Sequence, residues 1–149
     1  MRTQKLVTAP QIEIAAADVG SGPRRLLPRI KAAPRIRQLY WCDFGCDVIL
    51  PEMHKERPVV IISFKNTLHG HCLVLPTSTD PQEGESAQWA HKLSLKPDGA
   101  RDSWVVCNHL YTVSTARLAP LAGKAIPRLN EAEFNQILSK TMAWLPRLP

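Results

Sequence analysis

The chain reads as a mainly β (α+β) domain, a small antiparallel barrel or sandwich closed by one C-terminal amphipathic helix. Three observations predict this. Short β-branched and aromatic runs recur from Gln38 onward, no helical stretch long enough for a crossover separates them, and a three- and four-residue apolar periodicity appears only near the end. Residues 38–44 form an aromatic-rich run that ends at Gly45, residues 57–64 a β-branched run, and residues 71–76 follow His69-Gly70. Residues 90–95, 103–108 and 110–113 are three further strand candidates. The closing helix is expected after Asn130, an N-cap ahead of the acids Glu131 and Glu133, with Phe134, Ile137, Leu138, Thr141 and Leu145 on one face and Pro146 as the stop.

A chain of 149 residues with 44% hydrophobic content suits a single core and excludes a multidomain enzyme. No uninterrupted apolar stretch exceeds four residues, as in Val59-Val60-Ile61-Ile62, whereas a membrane-spanning helix needs roughly 18 or more. Cys42, Cys46, Cys72 and Cys107 lack paired CxxC spacing and no apolar signal region opens the chain, so a reduced, cytoplasmic protein is expected. Residues 1–39 hold eight basic and two acidic residues and so account for the whole net charge of +6. Four prolines and the Gly20-Ser21-Gly22 break interrupt residues 1–36, which read as a basic, mostly disordered leader ahead of a domain at 37–149. A basic arm on a neutral body suits nucleic acid, and equally solubility.

Three clusters carry candidate chemistry. In Pro51-Glu52-Met53-His54-Lys55-Glu56-Arg57-Pro58, a charged loop runs into a buried strand, with Pro58 where a strand need not donate to its ladder. That places the planar donor fork of Arg57 at the rim of a rigid core, where it suits a phosphate or pairs with Glu52 or Glu56. In Val74-Leu75-Pro76-Thr77-Ser78-Thr79, a strand runs out into three consecutive hydroxyls, able to donate to phosphate oxygens or to form a plain turn. Between residues 103 and 118 a strand delivers Asn108 and His109 to a turn.

In this order the clusters resemble the PemK/MazF family of toxin–antitoxin ribonucleases over about residues 38–145. The family's "W-x-D-F" stands here as Trp41-Cys42-Asp43-Phe44. Its "K-x-R-P-V-V-V-I-S" stands as Lys55-Glu56-Arg57-Pro58-Val59-Val60-Ile61-Ile62-Ser63, and its "V-x-P-x-T-T" as Val74-Leu75-Pro76-Thr77-Ser78-Thr79. The block "S-x-V-x-C-D-Q-I-R-T-V-S-x-x-R-L" matches residues 103–118. The resemblance implies an SH3-like β-barrel of the PemK/MazF/CcdB type working as a homodimer. It implies metal-independent cleavage of single-stranded RNA by the substrate's own 2′-OH, leaving a 2′,3′-cyclic phosphate and a 5′-OH. A cognate antitoxin is the implied protein partner, together with which DNA is bound. No cofactor or metal is called for, and the sequence shows no clustered carboxylates to hold Mg²⁺. A related toxin fold acts on gyrase, but the Arg-Pro and hydroxyl motifs favour RNA.

Carried over residue by residue, the resemblance makes Arg57 the phosphate-contacting catalytic group and sets Ser78 where the family has Thr. Glu52, Lys55, Thr77 and Thr79 become substrate-binding candidates. Where the pattern reads D-Q-I-R this chain has Asn108-His109-Leu110-Tyr111. Asn108 is a further substrate contact, and His109 is either an acid or base working near neutral pH or a structural turn histidine. Trp89 is the tryptophan expected to be exposed and free to stack on a base, with Trp41, Trp104 and Trp144 filling the core and helix interface. His54, His69 and His91 lack metal-ligand spacing. The rival reading is a catalytically silent RNA- or protein-binding module on the same barrel.

Overall fold

The computed structural model describes residues 23–121 and 125–149, so the first 22 residues of the expected leader lie outside the described residues. Strands β1 (Leu39–Asp43), β2 (Glu56–Ile61) and β3 (His71–Ser78) form an antiparallel meander. They are followed by β4 (Ala90–Lys92), β5 (Trp104–Val106), β6 (Tyr111–Ser114) and β7 (Leu118–Ala119). Among the described residues the strands join one antiparallel sheet in the order β4-β5-β3-β2-β1-β7, with β6 pairing the first half of β3 and β5 its last two residues. The sheet curls around its core as the expected SH3-like barrel does, without a ladder between β4 and β7 among the described residues. All six expected strands form. The two-residue β7 is too short to show a sequence period.

The unbroken run Val59-Val60-Ile61-Ile62 has a structural reason, since both faces of β2 are covered. Val60 and Ile62 join Leu39, Leu75 and Val105 beneath the helix, where Phe134 and Ile137 complete the cluster. Val59 and Ile61 face the other way, with Tyr40, Cys42, Cys72, Val74 and Leu118. That second cluster also contains Ile30, only 6% exposed. Residues 23–36, expected to belong to a loose leader, therefore lie against the barrel. Arg29 Nη2 donates to the Arg117 carbonyl at 3.2 Å, and Asn66 Nδ2 donates to the Pro34 carbonyl at 3.0 Å. The leader-to-domain boundary expected after residue 36 falls inside packed structure, because one isoleucine in a proline-broken, basic stretch leaves no period to read.

Helix α1 (Glu131–Trp144) starts where expected, with the Asn130 side chain accepting from the Glu133 amide at 2.7 Å. Glu133 ties the helix to the sheet. Its carboxylate accepts from the Ser94 hydroxyl and amide and bonds His91 Nε2 at 2.9 Å. Thr141 Oγ1 donates to the Cys107 carbonyl, and Lys140 Nζ to that of Ala90.

Candidate active site

Arg57 is the second residue of β2, opposite Cys42 on β1, with Pro58 opposite Trp41. Its Nε donates to the His54 carbonyl at 3.0 Å and its Nη1 to the Thr77 carbonyl at 3.4 Å. The guanidinium is thus held by main-chain oxygens of two elements, with three of its five N–H donors left for a ligand. Neither expected carboxylate pairs with it among the described residues. Glu52 caps its own loop instead, accepting from the Ile49 amide at 2.8 Å.

A cleft of about 150 Å³ opens at this end of the sheet, with Arg57, Lys55, Thr77 and Thr79 in its wall. All four come from the two motifs that border it, and Thr77 is locked by its hydroxyl donating to the Pro58 carbonyl at 2.8 Å. Lys55 holds a left-handed backbone, φ 66°, and its amide donates to the carbonyl of Gly45, φ 77°. Glycine meets that requirement at Gly45 at little steric cost, and the pair closes the β1–β2 loop at its base. The far wall was not legible in the sequence. It is built by Asp98 and Arg101, joined by a 2.8 Å ion pair, and by Ser103. Hydrogen bonds from the Arg101 and Ala100 amides and the Arg101 side chain hold the Asp98 carboxyl well below the usual carboxylate range. The loop carrying Asp98 and Arg101 has no motif, so only folding brings them to Arg57, whereas Ser103 opens the family block at residues 103–118.

Ser78 does not line the cleft. Extending the register Val59 to Pro76 by two residues sets Ser78 across from Arg57, and its Oγ accepts from the Asp80 amide at 3.2 Å. His109 lies in the turn before β6, its amide donating to the Val106 carbonyl, and its ring meets Tyr111 edge-on at 6.5 Å. Burial pushes its imidazole below the ordinary value, and its Nδ1 is buried without a hydrogen-bond partner among the described residues, as is that of His54. Asn108 sits half-buried in the same turn, outside the cleft. Tyr111, noted in the sequence only as a departure from the Arg of the family pattern, links this turn to the β1–β2 loop. Its hydroxyl accepts from the Met53 amide at 2.9 Å and its ring packs on Phe44 at 5.1 Å.

Trp89 corrects an expectation. A 3-10 turn at Gly84–Trp89 folds it back onto Trp144, ring centroids 5.0 Å apart, so it is half-buried, while Trp144, expected at the helix interface, is 51% exposed. It lies away from Arg57's cleft. Burial raises the thiols of Cys42 to about 12 and of Cys72 and Cys107 to about 11, which leaves them unreactive. Among the described residues no group of three or more His, Cys, Asp or Glu is arranged to hold a metal ion, and no helix is long and apolar enough to cross a membrane.

The site thus joins a strand-entrance arginine to a strand-end hydroxyl run on a curled antiparallel sheet. The model of the PemK-like, MazF-like toxins of type II toxin–antitoxin systems matches residues 35–145, and the chain belongs to that family. Among solved structures it is similar to an endoribonuclease in complex with its cognate antitoxin from a mycobacterial species. That match has 17% identity over 78% of this chain and 100% of the other, with a TM-score of 0.56. It is similar to MazF from Deinococcus radiodurans at 16% identity, covering 74% of this chain and 94% of that one, TM-score 0.58. The Mycobacterium tuberculosis toxin MazF-mt6 aligns at 15% identity over 72% and 95% of the two chains, TM-score 0.51. No curated protein matches the chain.

Proposed function

We propose that this toxin is an endoribonuclease that cuts single-stranded RNA at the cleft beside Arg57, without a metal ion, and that a cognate antitoxin restrains it by occupying the same groove. The substrate's 2′-oxygen forms a bond to the adjacent phosphorus, the bond from phosphorus to the 5′-oxygen breaks, and the products are a 2′,3′-cyclic phosphate and a 5′-hydroxyl. Arg57 stabilises the charge gathering on the phosphoryl oxygens. Its two main-chain anchors support this role most strongly, because they orient the remaining donors before substrate arrives. Lys55 and Thr79 bind flanking phosphates from the same wall, with Thr77 shaping it, and Glu52 and Asn108, outside that wall, contact RNA beyond the scissile phosphate. His109, neutral at pH 7 because burial disfavours its charged form, accepts the 2′-OH proton, the departing 5′-oxygen takes its proton from solvent water, and Ser78 steadies the phosphate across from Arg57. The working unit in this reading is a cytoplasmic homodimer.

One observation favours a second reading. Neither Ser78 nor His109 lines the cleft that holds Arg57, as a silent binding module would allow. Incubating the purified protein with mixed single-stranded RNA in EDTA and mapping the ends separates the two. Cyclic phosphate and 5′-hydroxyl ends support the nuclease, whereas RNA bound and recovered intact supports the binding module.

A further inference from the structure

We propose a second single-stranded RNA contact at the opposite end of β2 from Arg57, an exosite in which a base stacks on Phe64 and neighbouring phosphates meet Arg35, Lys65 and Arg128. It rests on the reading of the protein as an RNA-binding toxin and adds a surface to it. Phe64 is 70% exposed, an unusual position for a phenylalanine in the turn that follows a fully buried strand segment. It forms the ridge between two open depressions, of about 410 and 330 Å³. The larger is lined by Arg35, Lys65 and Arg128, all exposed, and among the described residues neither depression has an aspartate or glutamate in its wall. None of these three cations takes part in an ion pair among the described residues, where the only ion pairs engage Asp98, Asp102 and Glu133.

The turn that presents the ring is built to hold it. Ser63 Oγ donates to Asn66 Oδ1 at 2.7 Å and accepts from the Leu73 amide at 2.9 Å, and Asn66 Nδ2 donates to the carbonyls of Ser63 and Pro34. The bond to Pro34 fixes the second wall, residues 32–36, to the turn, and residues 32–34 precede the segment that matches the family. The surface is therefore partly made by a feature of this chain outside the toxin module. An aromatic face ringed by unpaired cations and no acids fits a polyanion with flat, stackable units, which is single-stranded nucleic acid. The strand from Arg57 to Ile61 alone covers roughly 13 Å and Phe64 lies in the turn beyond it, so a trinucleotide seated at Arg57 does not reach the ring.

The test is binding of uncleavable 2′-O-methyl RNA, a trinucleotide and a chain of about 20 nucleotides, to the full-length protein and to its Phe64→Ala and Lys65→Ala variants, followed by fluorescence anisotropy across a salt series. Phe64→Ala is expected to weaken the long RNA by about tenfold and the trinucleotide not at all, and Lys65→Ala to reduce the salt slope for the long RNA by about one. Equal losses on both lengths, or none on the long RNA, overturn the exosite. So does an unchanged RNA affinity accompanied by lost binding of an acidic peptide, which would assign the patch to a protein partner. Because the readout is binding, failure of the nuclease reading appears separately, as intact RNA in the cleavage assay, and leaves this result interpretable.

Discussion

Arg57 and His109 stand for two ways a residue is made useful. The first is a permanently charged group whose orientation is fixed by the carbonyls of His54 and Thr77. The second is a titratable ring whose charge is suppressed by burial and whose Nδ1 has no hydrogen-bond partner among the described residues. As a proton acceptor, His109 must be neutral, so cleavage is expected to fall as pH drops through a range lying below the ordinary imidazole value and to level off above it, and His109→Gln should flatten that limb. Stability has the same sign. The unfolded chain binds the proton more readily than the folded one, so folding free energy declines as pH falls through the unfolded value, and His109→Gln should remove that part of the decline. Arg57 cannot produce such a limb, because a guanidinium stays protonated throughout. A limb that survives His109→Gln and disappears in a Gln variant of His54, His69, His71 or His91 assigns the proton to that residue instead.

At the scale of elements, the β1–β2 loop is the part that positions the site. It is closed at its base by the Gly45 and Lys55 main chains, pinned at Met53 by the Tyr111 hydroxyl, and through His54 it holds Arg57. Tyr111→Phe removes only the pin. Cleavage by this variant is expected to drop by about 10- to 100-fold through a lowered kcat with little change in KM, since the loop's grip on Arg57 loosens while the cleft wall remains. A raised KM at constant kcat would instead make Tyr111 a direct substrate contact. The strands, the Asn130 cap and Arg57 were legible because each depends on local chemistry, namely β-branched runs, a side-chain acceptor before an acidic turn, and Arg-Pro at a strand start. Tyr111, Asp98 and Arg101 were not, because each acts through a partner distant in sequence or in a loop without pattern. Trp89 misled for the same reason, since polar neighbours suggested exposure and only the 3-10 turn brings it onto Trp144.

For the whole molecule, the family module is supplemented by an N-terminal segment that is part of the packed body as far back as Ile30. Removal of residues 1–36 therefore uncovers the Ile30 cluster, at a cost of about 1.5–3 kcal/mol for that side chain alone, and takes away a wall of the Phe64 surface. Thermal unfolding of this truncation and of Ile30→Ala beside the full-length protein checks this, and a melting temperature unchanged in both would show that the segment adds nothing to the fold.

The account as a whole depends on Arg57 stabilising charge at a phosphate, and single-turnover cleavage of a single-stranded RNA by Arg57→Ala, measured in EDTA beside the unaltered protein, tests that most directly. The loss expected is about 10²–10³ in rate with an unchanged melting temperature and the same cyclic phosphate ends on whatever product forms. Cleavage at nearly the unaltered rate by a folded Arg57→Ala protein would contradict it and move the chemistry elsewhere on the barrel.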